Sequence, residues 1–517
     1  MPMYDMQENI SNNKRIAKNT IMLYFRMMVT MIVGLFTSRV VLNTLGIEDY
    51  GIYNVVGGVI AMFSFVNGAM SNATSRYLTV ALGQQNWELL TKTFRVSLTI
   101  HAIIALLIII LGETAGLWFL LNKMQIPEAR CDAAMWVYQF SIASMAISIM
   151  SVPFNASIIS HEKMSAFAYI SILDVTLKLL IVYLLVVIPF DKLKVYAVLL
   201  FCTQTLIQCI YMVYCKLNFA ETKLRLLIDK SLFKEMSVFA GWNLYGNFSY
   251  ITYTQGLNIL LNVFFGPAIN AARGIAVQVQ SMIYSFVSNF QTAMNPQLIK
   301  SYAAGNTDYM NRLIALGSKF SFYLLLLIAV PVMIETPYIL RLWLVQVPDH
   351  AVSFFRILVL INLTDALSTP VAISIQATGK VKVPQLITGT ILLAILPVSY
   401  IALKFGAPAE AVFWVHLSSA IIAQISRVIM LKNRTSFSVR YYLKEVISPI
   451  LSVVVIIALY SYVVFLFFYN ETIPSLLGIC VLSCAINIAI FYFIGMDKYE
   501  RNIIRKKTYS FIARHKL

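Results

Sequence analysis

The sequence predicts an all-α polytopic membrane protein of about 14 transmembrane helices, arranged as two parallel six-helix lobes plus two C-terminal helices. Three observations predict it. Of 517 residues, 59% are hydrophobic and only 12% are charged, a balance outside that of soluble domains. Apolar runs long enough to cross about 30 Å of hydrocarbon recur along the whole chain. Stretches about 217 to 222 residues apart also line up with one another. The first two observations exclude a soluble enzyme, a disordered chain and a single-span receptor.

The apolar runs lie at about 19–42, 52–73, 93–112, 133–158, 165–188, 194–215, 236–264, 269–295, 312–334, 352–377, 384–403, 409–431, 446–468 and 473–495. The first follows Lys14, Arg15 and Lys18 and lacks a small-residue cleavage site, so it reads as a retained span with its N-terminus in the cytoplasm. Charge, Pro or Gly bounds each run, as in Ile188-Pro189-Phe190-Asp191-Lys192 and Phe405-Gly406-Ala407-Pro408. No connection is long enough to fold separately. The six cysteines contain no CxxC pair, and all but Cys131 fall in apolar runs. They read as small hydrophobes, not as a disulfide or zinc framework.

The net charge of +17, from 40 Lys+Arg against 23 Asp+Glu, tests the orientation. With the N-terminus inside, about 28 basic residues fall in cytoplasmic segments and about 8 in the opposite loops. Arg26, Arg39, Lys178 and Arg427 remain within spans. An odd number of spans would carry the basic tail, Lys498 to Lys516, to the wrong side. The excess is therefore a topology signal that favours anionic membrane lipids, and not nucleic acid, as the partner.

The segment LGIEDYGIYNVVGGVIAMFSFVNGAMSNATSRYLTVALGQQNW from Leu45 aligns with FGPAINAARGIAVQVQSMIYSFVSNFQTAMNPQLIKSYAAGNTDY from Phe265. Gly46 falls on Gly266, Ala81 and Gly83 on Ala303 and Gly305, Pro153 on Pro370, and Lys163 on Lys380. Six spans per half restore the starting orientation, so the halves are parallel, related by a pseudo-two-fold along the membrane normal, with a cavity expected between them. The expected organisation is an N-terminal lobe at 1–217, a cytoplasmic amphipathic connector at 218–235, a second lobe at 236–433, and two helices with a basic tail at 434–517. In the connector, Leu224, Leu227, Ile228 and Leu232 share one face of a helix suited to the cytoplasmic leaflet; a plain basic linker is the alternative.

The six-six-two layout, the basic start, the LGIEDYGIYNVV segment and the Gly-Lys or Glu-Lys turn after the fourth span of each half resemble the polysaccharide exporter family. These are bacterial O-antigen and lipid-linked oligosaccharide flippases, relatives of the multidrug and toxin extrusion transporters. The resemblance implies two lobes rocking about a central cavity in the bacterial inner membrane. It further implies a lipid-linked oligosaccharide on an undecaprenyl-pyrophosphate carrier as substrate, other polysaccharide assembly proteins as partners, and both termini in the cytoplasm.

An ionised group near the bilayer centre costs about 3 kcal/mol on insertion scales, so charges within spans are functional candidates. Arg26, about 10 Å into the first span, is the first candidate for a pyrophosphate contact, against an arginine that snorkels to the inner interface. Arg39 is rotated from it by about 220° and lies near the outer end, where snorkelling also accounts for it. Asp174 and Lys178 stack one turn apart as an ion pair or as a switch opened by phosphate or a proton. Asp365 has three open readings: protonated, paired with another helix, or the site of a coupling cation. Arg273, at the outer end of the eighth span, resembles basic residues that line the cavity in related flippases. Substrate binding is thus assigned to Arg26, Lys178, Arg273 and Arg39, and coupling or ion pairing to Asp174 and Asp365.

No G-x-x-x-x-G-K-[ST] or HExxH pattern occurs, so neither nucleotide hydrolysis nor a metal enzyme is indicated. The expectation is a transporter, not an enzyme, without a cofactor and with proton or sodium coupling left open. Multidrug export and an enzyme of envelope glycan synthesis are the alternatives.

Overall fold

The computed structural model describes residues 3–61, 64–123, 126–223, 225–344, 347–498 and 500–502, all of it helix and connecting turns with no strand. In chain order the helices are α1 (Met3–Ala61), α2 (Ser64–Gly83), α3 (Trp87–Leu111), α4 (Leu117–Lys123), α5 (Cys131–Ser160), α6 (Met164–Val187), α7 (Lys192–Asn218) and α8 (Lys230–Phe265). They continue as α9 (Pro267–Ala303), α10 (Thr307–Trp343), α11 (Ala351–Ala377), α12 (Lys382–Lys404), α13 (Ala411–Lys432), α14 (Val439–Tyr442), α15 (Ser448–Phe468) and α16 (Ile473–Ile490). A π turn at Gly112–Gly116 carries α3 into α4, and another at Leu443–Ile447 carries α14 into α15.

The helix starts follow from local chemistry. Asn86 accepts from Leu89 N at the start of α3, and Thr472 accepts from Ser475 N at the start of α16; each satisfies an amide that the first turn leaves without a partner. Gly266, at φ +81°, separates α8 from α9, and Pro267 opens the second helix.

Eleven stretches among the described residues are long and apolar enough to cross a membrane. α8 and α9, at 36 and 37 residues, are long enough but more polar. The chain is therefore a multi-pass, all-helical membrane protein.

Three boundaries differ from the sequence expectation. The break expected at 43–51 does not form: α1 runs for 59 residues, about 88 Å at 1.5 Å per residue. Gly46 and Gly51 lie inside it as isolated glycines, which a helix tolerates, whereas the aligned Gly266 is followed by a proline. The span expected to stop at 334 extends to Trp343. The connector is not a surface helix: 219–223 and 225–229 are non-helical, and the helix resumes only at Lys230. Thr99 Oγ1 donates to Leu227 O (3.0 Å) and accepts from Leu227 N (3.1 Å), so α3 supplies the backbone bonds that a helix would have supplied internally. Leu224 and most of the basic tail lie outside the described residues.

By their contacts the residues form two units. One comprises Met1–Phe248, Thr292–Asn306 and Gln376–Leu386; the other comprises Ser249–Gln291, Thr307–Ile375 and Ile387–Leu517. In the first, α5 packs on α2, α3 and α7, and α1 packs on α6. In the second, α10 packs on α15 and α16.

The first unit draws in the ends of α9 and α11 by two related contacts. The turn after α5 places Glu162 at φ +59°, and the turn after α11 places Gly379 at φ +78°; each precedes the lysine that the repeat aligns. Glu162 has a fully enclosed carboxylate that accepts from Arg15 Nε, Lys300 Nζ and Gln297 Nε2, each at 2.6 Å, while its carbonyl accepts from Asn19 Nδ2. At the other turn Arg76 Nη2 donates to Ala377 O (3.0 Å), and a Cβ on Gly379 would stand 2.6 Å from that nitrogen. Gly83 lets α2 approach α9: a Cβ there would meet Ala303 Cβ and Lys300 Cα at 2.9 Å.

Elsewhere in this unit Arg130 grips two carboxylates, Asp49 (Nε to Oδ1, 2.7 Å) and Asp191 (Nη1 to Oδ2, 2.7 Å). Burial pushes the Asp191 carboxyl up, but Arg130 and the amides of Lys194 and Leu193 outweigh it and hold the group below the ordinary range. Because the folded value is lowered, the pairing contributes fully above about pH 4 and is lost as pH falls through the lowered value. Arg130→Ala should therefore destabilise the protein by about 1–3 kcal/mol near neutral pH, and thermal unfolding curves of variant and wild type in detergent should converge in acid.

Candidate functional site

The first unit gathers its polar interior residues from α1, α6 and α7. α1 presents Arg26, half-buried, with its guanidinium carbon 4.8 Å from the centre of the Phe167 ring of α6, a cation–π arrangement. Tyr211 of α7 lies close enough to act on Arg26 and on Asp174. One turn along α6, Lys178 Nζ donates to Asp174 Oδ2 at 2.7 Å, the i,i+4 pair that the spacing predicts. The Lys178 side chain is 41% exposed, so its ammonium group stays accessible to an anion while paired. Arg26, Asp174 and Lys178 thus belong to one patch, joined by Tyr211. The Arg39 side chain lies outside the described residues.

The second unit holds a separate group on α8, α9, α11 and α13. Arg273 turns inward to α8: it donates to Asn258 Oδ1 and, from Nη2, to Thr254 O (3.2 Å), both neutral oxygens. Beside it Tyr253 shares a hydrogen bond with His416 Nε2 (3.3 Å) and meets Tyr250 edge to face, ring centres 5.4 Å apart. Asp365 of α11 lies within electrostatic range of Tyr250, Tyr253 and Tyr284, and the charge acting on it is Arg427 of α13. No cation among the described residues lies within 4 Å of its carboxylate. Arg427 does not snorkel: Nη1 donates to the Ser368 hydroxyl of α11 (3.1 Å), which donates in turn to Gln424.

Two cavities also lie within this unit. One of about 1030 Å³ has a mixed lining, charged at Arg341, Asp349, Arg356 and Glu410 and apolar at residues such as Leu344, Val352 and Trp414. The second, about 700 Å³ between α10, α11, α13 and α15, is almost wholly apolar, lined by residues such as Leu326, Leu363, Ile421, Val454 and Phe465. Arg356 borders both. In this cavity His350 is held by Glu410 (2.6 Å), and Arg341 pairs with Glu471. Arg356 instead donates to the carbonyl of Met333 (Nε 3.2 Å, Nη2 3.1 Å), and no carboxylate among the described residues pairs with it.

Sequence reasoning missed Glu162, Arg356, Glu335 and the buried pair Lys319–Glu500 (2.7 Å). Lys319 and Arg356 stand in the first two turns of their spans, where a basic residue reads as part of the adjoining loop. Glu335 lies one residue past the expected end of the ninth span. The available signal for Glu162 was its position, a glutamate aligned with Gly379.

No protein-family model matches the sequence, and no curated protein matches it. Solved structures do match in shape. An outward-facing multidrug-resistance MATE transporter of the MOP superfamily aligns with a TM-score of 0.71 over 82% of this chain and 96% of its own, at 14% identity. The MATE transporter ClbM, in complex with Rb+, aligns at 0.68 over 83% and 96%, at 17% identity. A MOP superfamily transporter from Pyrococcus furiosus, described as having a binding pocket of reverse polarity, aligns at 0.66 over 81% and 96%, at 15% identity. The polytopic helical chain therefore has the fold of the MATE transporters of the MOP superfamily.

Proposed function

We propose that this protein is a flippase that moves an undecaprenyl-pyrophosphate-linked oligosaccharide, an O-antigen or capsule or exopolysaccharide repeat unit, between the leaflets of a bacterial inner membrane by alternating access. One observation carries the reading: Arg356, whose hydrogen-bond partner is a carbonyl and not a carboxylate, borders a cavity of mixed, charge-bearing lining and also an apolar groove. A substrate with an anionic head and a long hydrocarbon tail needs both environments next to each other, since each half is costly in the other's. The Arg26 and Lys178 patch supports the same chemistry in the first unit, where pyrophosphate oxygens would take guanidinium and ammonium donors. Arg26→Ala, correctly inserted, should slow leaflet transfer of lipid-linked glycan by about tenfold or more, the loss of one charge-assisted contact. Unchanged transfer would remove Arg26 from the pathway.

A specific observation favours a second reading, cation-coupled multidrug export: Asp365 lies within electrostatic range of Tyr250, Tyr253 and Tyr284, and a carboxylate with aromatic rings nearby suits an organic cation. The readings separate on Asp365→Asn. It should abolish efflux of cationic dyes if export of cations is the activity. A flippase should show no such efflux in either protein.

In this reading the end of α9 parts from the turn after α5 within the first unit during transport, and the Glu162 knot opens with it, on the side that the charge count assigns to the cytoplasm. Glu162→Gln leaves Arg15 and Lys300 without their carboxylate and should lower stability by about 3 kcal/mol. A cysteine introduced at Ser301, buried in wild type, should then react faster with a membrane-impermeant maleimide added from the cytoplasmic side. Equal labelling rates in the two backgrounds would show that the knot is not a closure.

A further inference from the structure

α10 contains Pro331 and Pro337. A proline has no N–H, so the carbonyl four residues before each loses its helical donor. Both freed carbonyls have found another. Leu327 O accepts from the Cys484 thiol of α16 (3.8 Å), and Met333 O accepts from the Arg356 guanidinium of α11.

Between the two prolines stands Glu335. Its residue is 0% exposed, and neither carboxylate oxygen has a hydrogen-bond donor among the described residues. Thr336 beside it directs its hydroxyl to Val332 O (2.6 Å). The titratable groups that act on or are felt from Glu335 are Glu471 and Tyr469, from the segment joining α15 to α16, and Cys480 of α16. None of them supplies positive charge. The cations nearest in sequence and packing are engaged elsewhere, Arg341 by Glu471 and Arg356 by the Met333 carbonyl. A carboxylate enclosed without donor or cation is the unfavourable form of the group, and a bound proton removes the charge. Two prolines six residues apart also make this the segment of α10 best able to bend.

We propose that Glu335 is a proton-binding site of the second unit: it carries a proton in this conformation and releases it when α10 bends at the prolines and admits water to the carboxyl. The step is dissociation of the carboxylic acid into carboxylate and proton, with no other bond changed, and Glu471 is the next carboxyl on the way out. Use of this proton to drive transport rests on the transport reading; proton binding itself does not.

The test uses the full-length protein reconstituted in phosphatidylethanolamine–phosphatidylglycerol liposomes and infrared difference spectra between acid and alkaline pH. Wild type should show a protonated-carboxyl C=O band that shifts in D2O. Glu335→Gln should lose that band, and Glu335→Asp, which keeps the acid, should retain it at an altered frequency. Identical spectra for wild type and Glu335→Gln overturn the proposal, as does loss of the wild-type band on adding sodium at constant pH, which would make this a metal-cation site. If the band follows Glu335 while no variant moves lipid-linked glycan, the proton site stands and the flippase reading falls.

Discussion

Charge enclosed by apolar surroundings must be paired, hydrogen-bonded or neutralised, and the interior of this protein is organised by how each charge meets that demand. Glu162 meets it with three donors from two distant segments of the chain, and in doing so joins the start of α1 and the end of α9 to the turn after α5. Lys319 and Glu500 meet it by pairing with each other, which fastens the residues after α16 to α10. Arg273, Arg356 and Arg427 take neutral oxygens instead. A guanidinium can do this because its charge is spread over five N–H groups, and the result is fixed positive charge left available to an anion. The same demand therefore produces structural knots where carboxylates are supplied and guanidinium groups on neutral oxygens where they are not.

The two turns that hold the first unit together differ in strength for a reason that can be followed to single residues. Both use the left-handed backbone region immediately before a lysine. Gly379 adopts it without strain, and its missing Cβ makes room for Arg76, which then reaches only a carbonyl. Glu162 adopts it against a side-chain preference of about 1 kcal/mol, and its carboxylate collects two cations and an amide. A gene repeat that kept glycine in both places would have two weak contacts; the glutamate turns one of them into the dominant fastening. Asymmetry of this kind lets the fastening of the first unit be governed by one group.

The helices were legible in the sequence because a span must bury its own backbone polar groups and present apolar side chains to lipid, and that demand writes itself into composition. What failed was every judgement that depends on a partner. The break near Gly46 was read from the gap between two apolar runs, but the aligned Gly266 turns with the help of a proline after it that Gly46 lacks. The connector had the right apolar spacing for a helix, but Thr99 on α3 gives Leu227 its backbone bonds, and no local pattern reveals that. The Asp174–Lys178 pair was legible since both members stand on one helix. Glu162 with Lys300, Lys319 with Glu500 and Arg356 with Met333 were not, because each partner comes from another helix far along the chain.

The distribution of sign bears on substrate more directly than total charge. In the first unit, the interior acid Asp174 is already answered by Lys178, and Arg26 sits on an aromatic ring. In the second, Asp365 is answered at longer range by Arg427, while Arg273 and Arg356 face only neutral oxygens. An exporter of organic cations would need ionised carboxylates left over after such pairing; Glu335, the enclosed carboxyl without a donor among the described residues, is neutral on the proton-binding proposal, whereas Arg273 and Arg356 keep their charge beside neutral oxygens. The apolar groove adds a second constraint: its lining is too uniformly aliphatic to orient a compact polar solute, but it matches a flexible hydrocarbon chain that has no hydrogen bonds to satisfy. A molecule that is anionic at one end and hydrocarbon at the other is the simplest object that uses both features at once, and Arg356 stands where its two ends would meet.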